Sequence, residues 1–285
     1  MARIKVNGIE IAYEIIGNGK RAAIITPGGR FPKETPGVRQ LAQKLAADDY
    51  RVVIWDRPNC GESDICFEGQ SESILNADML AALLRELKLP PALVIGGSAG
   101  ARVSLIAAIR HPEVVERLFL LWISGGVIGV MTLAFVYYHD SWVAAQMGGM
   151  QAVVDMPAWK SFVTRDPRNR QYLLNWDPVA FRDRMTDWAR SFIPDESTPV
   201  PNLDPSQLRA LKMPVMVMRG GKSDPHHPRA TSEAVAGAIP GAQIADPPWG
   251  DKEWLERLEA QNRGEGLFAR WPLLAPQILE FARPG

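Results

Sequence analysis

The stretch that decides the fold is Ala92-Leu93-Val94-Ile95-Gly96-Gly97-Ser98-Ala99-Gly100-Ala101-Arg102-Val103. An apolar β-type run enters Gly96-Gly97-Ser98-Ala99-Gly100, and a helical pattern leaves it at Ala99 and continues to Arg110. Small residues at 96 and 100 let the chain turn sharply enough to hold a serine at the tip, clear of both strand and helix. The hydroxyl of Ser98 is thereby placed at the carboxyl edge of a sheet, where open α/β sheets bind ligands. The amides and positive dipole end of the following helix point to the same place and suit a developing anion. The plainer role of Ser98 would be to cap that helix.

Outward from this turn the sequence alternates between two periods. Ile4 to Val6, Asn7-Gly8 and Ile9 to Ile15 form a hairpin signal, because Asn-Gly supplies the positive φ angles of a two-residue turn. Apolar runs suited to buried parallel strands follow at Ala22 to Ile25, Val52 to Trp55, Ala92 to Ile95, Arg117 to Ile123, Val215 to Met218 and Ala242 to Ala245. Helical patterns fall at Pro36 to Ala47, Ser73 to Lys88, Ala99 to Arg110, Arg229 to Ala238 and Pro272 to Ala282. Alternation of this kind predicts an α/β protein with a mostly parallel, doubly wound sheet. Residues 124–211 break the rhythm, with several helix-like stretches and no convincing strand. They read as a helical cap inserted into a core made of 1–123 and 212–285, with Gly125-Gly126 at one end and the Pro-rich stretch Pro194 to Pro205 near the other.

Composition narrows the function classes. The chain has 285 residues, 46% hydrophobic and 22% charged, enough for one sizeable core. Thirty-two basic residues balance thirty-two acidic ones, which argues against nucleic acid or a charged membrane surface as partner and for a small molecule. Cys60 and Cys66 are read as reduced thiols. The N-terminal residues carry no signal-peptide pattern, so the expected location is the cytoplasm. Leu118 to Tyr138 is free of formal charge and long enough to span a bilayer, but Ser124-Gly125-Gly126 divides it into a buried strand and an apolar helix. Oligomeric state is not legible.

The Ser98 turn and three further motifs are similar to the α/β-hydrolase fold family, in its serine-nucleophile branch with a cap. Thr26-Pro27-Gly28-Gly29-Arg30 resembles the family's oxyanion loop, with Pro27 where histidine is usual. The resemblance implies that the amides of Gly29 and Ala99 form the oxyanion hole. Asp56-Arg57-Pro58-Asn59-Cys60-Gly61-Glu62-Ser63 resembles the family's turn after the fourth strand, a marker of fold more than of chemistry. Gly220-Gly221-Lys222-Ser223-Asp224 occupies the place of the catalytic acid, so the resemblance makes Asp224 that acid; its other possible role is to cap the helix that follows.

The base departs from the family pattern. A histidine is due after the last strand, where the chain instead reads Asp246-Pro247-Pro248-Trp249-Gly250-Asp251-Lys252-Glu253-Trp254, and no histidine follows position 227. A serine hydroxyl needs an activating base at neutral pH. His226 and His227 lie near the right sheet edge, although an acid two or three residues away is poorly placed to orient them. His139, next to Asp140, could hang over the pocket from the cap. Asp251 or Lys252 stands nearest the vacated slot, but an ordinary carboxylate is a weak base at neutral pH. His111 closes the helix after Ser98 and reads as structural.

Trp142, Trp159, Trp176 and Trp188, with Met131, Met147, Met150, Met156 and Met185, could line a lipophilic pocket or could dock the cap onto the sheet. No metal site is readable, since His226-His227 lacks partners at ligand spacing, and no cofactor is implied. The resemblance implies a hydrolase of esterase or C–C bond type acting through Ser98 on a small lipophilic or aromatic substrate. The alternatives are a ligand-binding protein that has lost hydrolysis and a cofactor-free lyase or oxygenase. The polar stretch from Asp251 to Arg270 has no assigned role.

Overall fold

The structure is a computed structural model that describes residues 2–194 and 197–283. Eight strands form one sheet: β1 (Ala2–Val6), β2 (Ile9–Ile16), β3 (Arg21–Thr26), β4 (Tyr50–Trp55), β5 (Ala92–Gly97), β6 (Val115–Leu121), β7 (Val215–Met218) and β8 (Gln243–Ala245). Their order is β1-β2-β4-β3-β5-β6-β7-β8. β1 and β2 pair through the expected hairpin, with Asn7 and Gly8 both at positive φ (48° and 86°). β2 runs antiparallel to β4, and every later pairing is parallel.

Alternate residues of a strand point to opposite faces, and both faces of this sheet are covered. On β3, Ala22 and Ile24 pack into one core while Ala23 and Ile25 pack into the other. The first core holds α2 (Glu72–Glu86), α3 (Ala99–Arg110) and much of the chain between β6 and β7; the second holds α1 (Val38–Ala46) and the C-terminal α12 (Ala275–Phe281). The runs of the central strands β3, β4 and β5 were therefore legible because neither face meets water, whereas β8 at the edge is partly exposed.

Between β6 and β7 lie α4 (Val127–Ala134), a single π-helical turn (Phe135–His139), α5 (Asp140–Val154), α6 (Pro157–Arg165), α7 (Pro167–Leu174), α8 (Pro178–Arg190) and α9 (Pro205–Arg209). The expectation for Pro194 to Pro205 lies partly outside the described residues. The uncharged run Leu118 to Tyr138 divides into β6 and α4, and no helix among the described residues is long and apolar enough to cross a membrane. After β7 come α10 (Arg229–Ala238), β8 and α11 (Glu253–Asn262).

Phe67, on the loop after β4, anchors the helices between β6 and β7. Its ring meets Trp159 and Phe181 edge-on at 5.5 and 5.2 Å and Trp188 at 5.6 Å. Backbone groups of the same loop are held from the insertion, Ile65 N–H by Asn169 Oδ1 at 2.9 Å and Phe67 N–H by Tyr172 Oη at 2.7 Å. The lobe's tryptophans thus divide differently from the lipophilic-lining expectation: Trp159 and Trp188 are buried docking residues, while Trp142 and Met147 face solvent.

Candidate active site

The sheet order reverses at β3, which has β4 on one side and β5 on the other, and the site forms above the carboxyl ends of β3 and β5. Ser98 joins β5 to α3 with φ 57° and ψ −123°, a strained conformation for a residue with a side chain. Its amide donates to the carbonyl of Leu121 on β6 at 3.1 Å, so the neighbouring strand holds the turn in place. A Cβ on Gly96 would lie 2.3 Å from the carbonyl oxygen of Gly100, and one on Gly100 would lie 2.0 Å from that of Thr26. Only glycine at both positions lets the two elements meet this closely.

The loop after β3 passes beside the serine. Gly29 has φ 50°, and Arg57 fixes the loop by donating to the carbonyl of Gly29 at 2.5 Å and to that of Gly28 at 3.4 Å. The Asp56 to Ser63 turn therefore does more than mark the fold, because it holds the peptides of the loop that faces Ser98. Asp56 in turn is buried with Lys33, whose amide and ammonium reach it at 2.6 and 3.1 Å.

His227 lies within hydrogen-bond reach of Ser98, with Nε2 2.8 Å from Oγ. Its Nδ1 is 2.7 Å from Oδ2 of Asp224. An ionised carboxylate can only accept, so Nδ1 carries the proton and Nε2 is left to accept from the serine hydroxyl. The expectation that so near an acid is poorly placed to orient the ring is corrected by the loop geometry. Asp224 Oδ1 accepts the amides of His226 and His227 at 2.9 and 3.1 Å, which folds the short loop around the carboxylate and swings the His227 ring onto Oδ2. Asp224 thus caps its own loop and grips the imidazole at once. Trp122 stacks on the other side of the ring at 6.2 Å and reaches that position through a positive φ of 49° at the end of β6.

Arg257 on α11, a residue the sequence reading missed, completes the group. It donates to Asp224 Oδ2 at 2.7 Å, and its guanidinium lies 3.9 Å from the ring centre of Trp122 and 4.6 Å from that of Trp254. Glu253, one turn earlier, stands 3.6 Å from Arg257. The stretch from Asp251 onward thus has a use, bringing a cation behind the acid. The available signal was an i, i+4 Glu253 and Arg257 pair beside Trp254, which marks one helix face but not what that face covers.

Burial opposes ionisation of Asp224, but the His227 hydrogen bond, the neighbouring positive charges and the His226 amide outweigh it and hold this carboxyl well below the usual range. Burial lowers the pKa of His227 below its ordinary 6.5, against the pull of Asp224, so the ring is kept neutral and able to take a proton. Glu253 is pushed up to about 7, chiefly by burial.

The other candidates fall elsewhere. His226 lines the same cavity as Ser98, packs on Trp254 at 5.0 Å and leaves Nδ1 without a hydrogen-bond partner among the described residues. His139 bonds exposed Asp140 at 3.0 Å and stacks on Phe135, away from the cavity. Asp251 pairs with Lys222 and Arg229 at 3.1 and 2.6 Å on the surface, and Lys252 is exposed. His111 bonds Asp78 at 2.7 Å at the far end of α3.

A cavity of about 500 Å3 opens over Ser98 and His227. Its apolar wall comes from Phe31, Trp122, Leu133, Trp254, Leu267 and Phe268 rather than from the tryptophans and methionines of the insertion. Among the described residues, no group of three or more His, Cys, Asp or Glu is placed to hold a metal ion.

A model of the alpha/beta hydrolase fold family matches residues 31–253. The chain belongs to that family. It is 25% identical over 249 residues to the human (Homo sapiens) serine hydrolase BPHL, covering 85% of this chain and 77% of the relative. It is 25% identical over 248 residues to 2-hydroxymuconate semialdehyde hydrolase of Pseudomonas putida, covering 82% and 85%. Among solved structures, an alpha/beta hydrolase enzyme from a Medee basin deep-sea metagenome library matches with TM-score 0.65 at 15% identity, covering 100% of this chain and 99% of that one, which shows a shared fold.

Proposed function

We propose that this α/β-hydrolase-fold chain is a serine hydrolase of esterase type, with Ser98 as nucleophile, His227 as base and Asp224 as the acid that orients it. The observation that carries the reading is the unbroken line from Asp224 Oδ2 through the His227 ring to Ser98 Oγ, with contacts of 2.7 and 2.8 Å. It removes the motive for a binding protein that has lost its base. The mechanism follows from the groups present. Nε2 takes the hydroxyl proton as Oγ attacks the substrate carbonyl, and the amides of Gly29 and Ala99 receive the charge that develops on oxygen. The imidazolium then protonates the leaving alkoxide. Water, deprotonated by the same nitrogen, cleaves the acyl-enzyme and restores Ser98.

The largely apolar cavity, in which Arg30 and Arg257 are already paired with Glu72 and Asp224, suits a small, uncharged, lipophilic or aromatic substrate. The helical insertion, reaching the cavity through Thr132, Leu133, Val136 and Tyr137, serves as its cap. Similarity to a semialdehyde hydrolase supports C–C bond cleavage as the second reaction type. Cys60 and Cys66, buried free thiols, suit work in the cytoplasm.

The test is turnover of p-nitrophenyl butyrate with labelling by a fluorophosphonate. The wild type should turn over and be labelled, while Ser98→Ala and His227→Ala should lose turnover by at least about a thousandfold. Absence of labelling in the folded wild type overturns the reading. Activity that survives Ser98→Ala would favour a cofactor-free lyase or oxygenase on the same scaffold.

A further inference from the structure

Tyr137 carries a buried hydroxyl with no hydrogen-bond partner among the described residues. A phenol placed this way normally finds an acceptor, and leaving one unmet is costly. The obvious acceptor nearby is Glu72, but it is saturated. Its oxygens accept from Arg30 Nε and a terminal nitrogen of Arg30 at 3.2 and 3.1 Å, from Asn59 Nδ2 at 3.3 Å and from the Tyr138 hydroxyl at 3.1 Å. Tyr137 is therefore the one of two adjacent tyrosines that the protein leaves unused. It sits in the π-helical turn Phe135–His139, an irregularity that recurs at functional sites.

The hydroxyl's surroundings place it beside the oxyanion loop. A Cβ on Gly29 would lie 3.7 Å from Tyr137 Oη. Gly29, Ala99 and Tyr137 are among the residues that line a chamber of about 20 Å3, beside Arg30, Glu72 and Asn76, with room for roughly one oxygen-sized group. Gly29 and Tyr137 also line the large cavity over Ser98, so they stand where chamber and cavity meet. Burial pushes the phenol up to about 12, which keeps it a donor at any working pH.

We propose that the Tyr137 hydroxyl is a third hydrogen-bond donor to the substrate oxygen held between the amides of Gly29 and Ala99. The proposal rests on the hydrolase reading above. The hydroxyl has no partner among the described residues, and an oxygen that gains charge between those amides supplies one, so its contribution falls on the transition state rather than on substrate binding. Because it is carried by the insertion rather than by the sheet, the donor also ties the reaction rate to the seating of α4 and the π-turn over the cavity.

Tyr137→Phe removes the hydroxyl and keeps the ring. With p-nitrophenyl acetate the variant should lose about tenfold or more in kcat with KM within twofold of wild type. Its affinity for a trifluoromethyl ketone, which mimics the oxyanion, should fall by the same factor as kcat/KM. Its thermal midpoint should equal or exceed that of the wild type, since an unmet buried hydroxyl has gone. A variant with kcat within twofold and a lowered midpoint overturns the proposal, because it would mean that a fixed water bridges Tyr137 to the equally unpartnered Asn76 Oδ1 in the same chamber. In that outcome wild-type turnover still stands and the hydrolase reading survives. A wild type inert toward both ester and fluorophosphonate overturns both.

Discussion

Glu253→Gln should change how the stability of this protein depends on pH, and the size of the change follows from where the side chain lies. Glu253 is 2% exposed, packed behind Arg257, and holds its proton up to a pH of about 7, against the ordinary glutamate value of 4.5. Below 4.5 the carboxyl is protonated in both folded and unfolded chains, and the folded state bears no cost of ionisation. Between 4.5 and about 7 the unfolded chain releases its proton first, so stability drains away as pH rises. The difference of about 2.5 pH units, at 1.36 kcal/mol each, amounts to about 3 kcal/mol lost by the time the folded carboxyl is ionised. Glutamine has the same shape and no proton to lose. Urea unfolding of both proteins across this range, extrapolated linearly to water, should show the variant gaining about 3 kcal/mol on the wild type between about pH 4.5 and pH 8. A difference that stays flat with pH would refute the reasoning, since it would mean that Arg257 keeps Glu253 ionised at every pH tested.

Three other perturbations test neighbouring contacts. Arg257→Met withdraws a cation that disfavours the His227 imidazolium, so the acidic limb of the kcat/KM profile should move to higher pH; an unmoved limb would mean that Arg257 does not act on the base. Gly28→Ala would put a Cβ 2.7 Å from that of Ser98, and esterase turnover should fall by about a hundredfold while circular dichroism stays that of the wild type. Phe67→Ala removes the ring on which Trp159, Phe181 and Trp188 converge and should cost about 3–5 kcal/mol in chemical denaturation, against less than about 1 kcal/mol if the insertion is held mainly by other contacts.

The sheet was legible because its signal is local. The runs Ala22 to Ile25 and Val52 to Trp55 are apolar throughout since both faces are covered, and Asn7-Gly8 states its own turn. The turn at Ser98 was legible for the same reason, since its glycines answer to close contacts within the strand, the helix and one neighbouring loop. The partnership of His227 with Asp224 was harder to see. Spacing alone suggests that an acid three residues away is poorly placed to aim a ring, and only the folding of the His226 and His227 amides onto Oδ1 shows how it can. Arg257 and Tyr137 were out of reach for another reason. Local pattern does not reveal what either residue reaches, and each matters through residues far along the chain: Arg257 through Asp224, Tyr137 through Gly29. The tryptophans of the insertion carried a real apolar signal, but hydrophobicity does not say whether a ring meets a substrate or Phe67.

Asp224 and His227 share one short loop, held at its centre by its own carboxylate. The two side chains therefore travel as a single cartridge: a shift of that loop displaces both together, and a graft of a few residues would carry both together. On the proposed reading the segment beyond β8 is released from proton transfer, and α11 instead braces Asp224 through Arg257. A search that demands a late histidine would class such a chain among the inert members of its fold, whereas one that asks for Asp-Pro-His-His in the loop between β7 and α10 would find it.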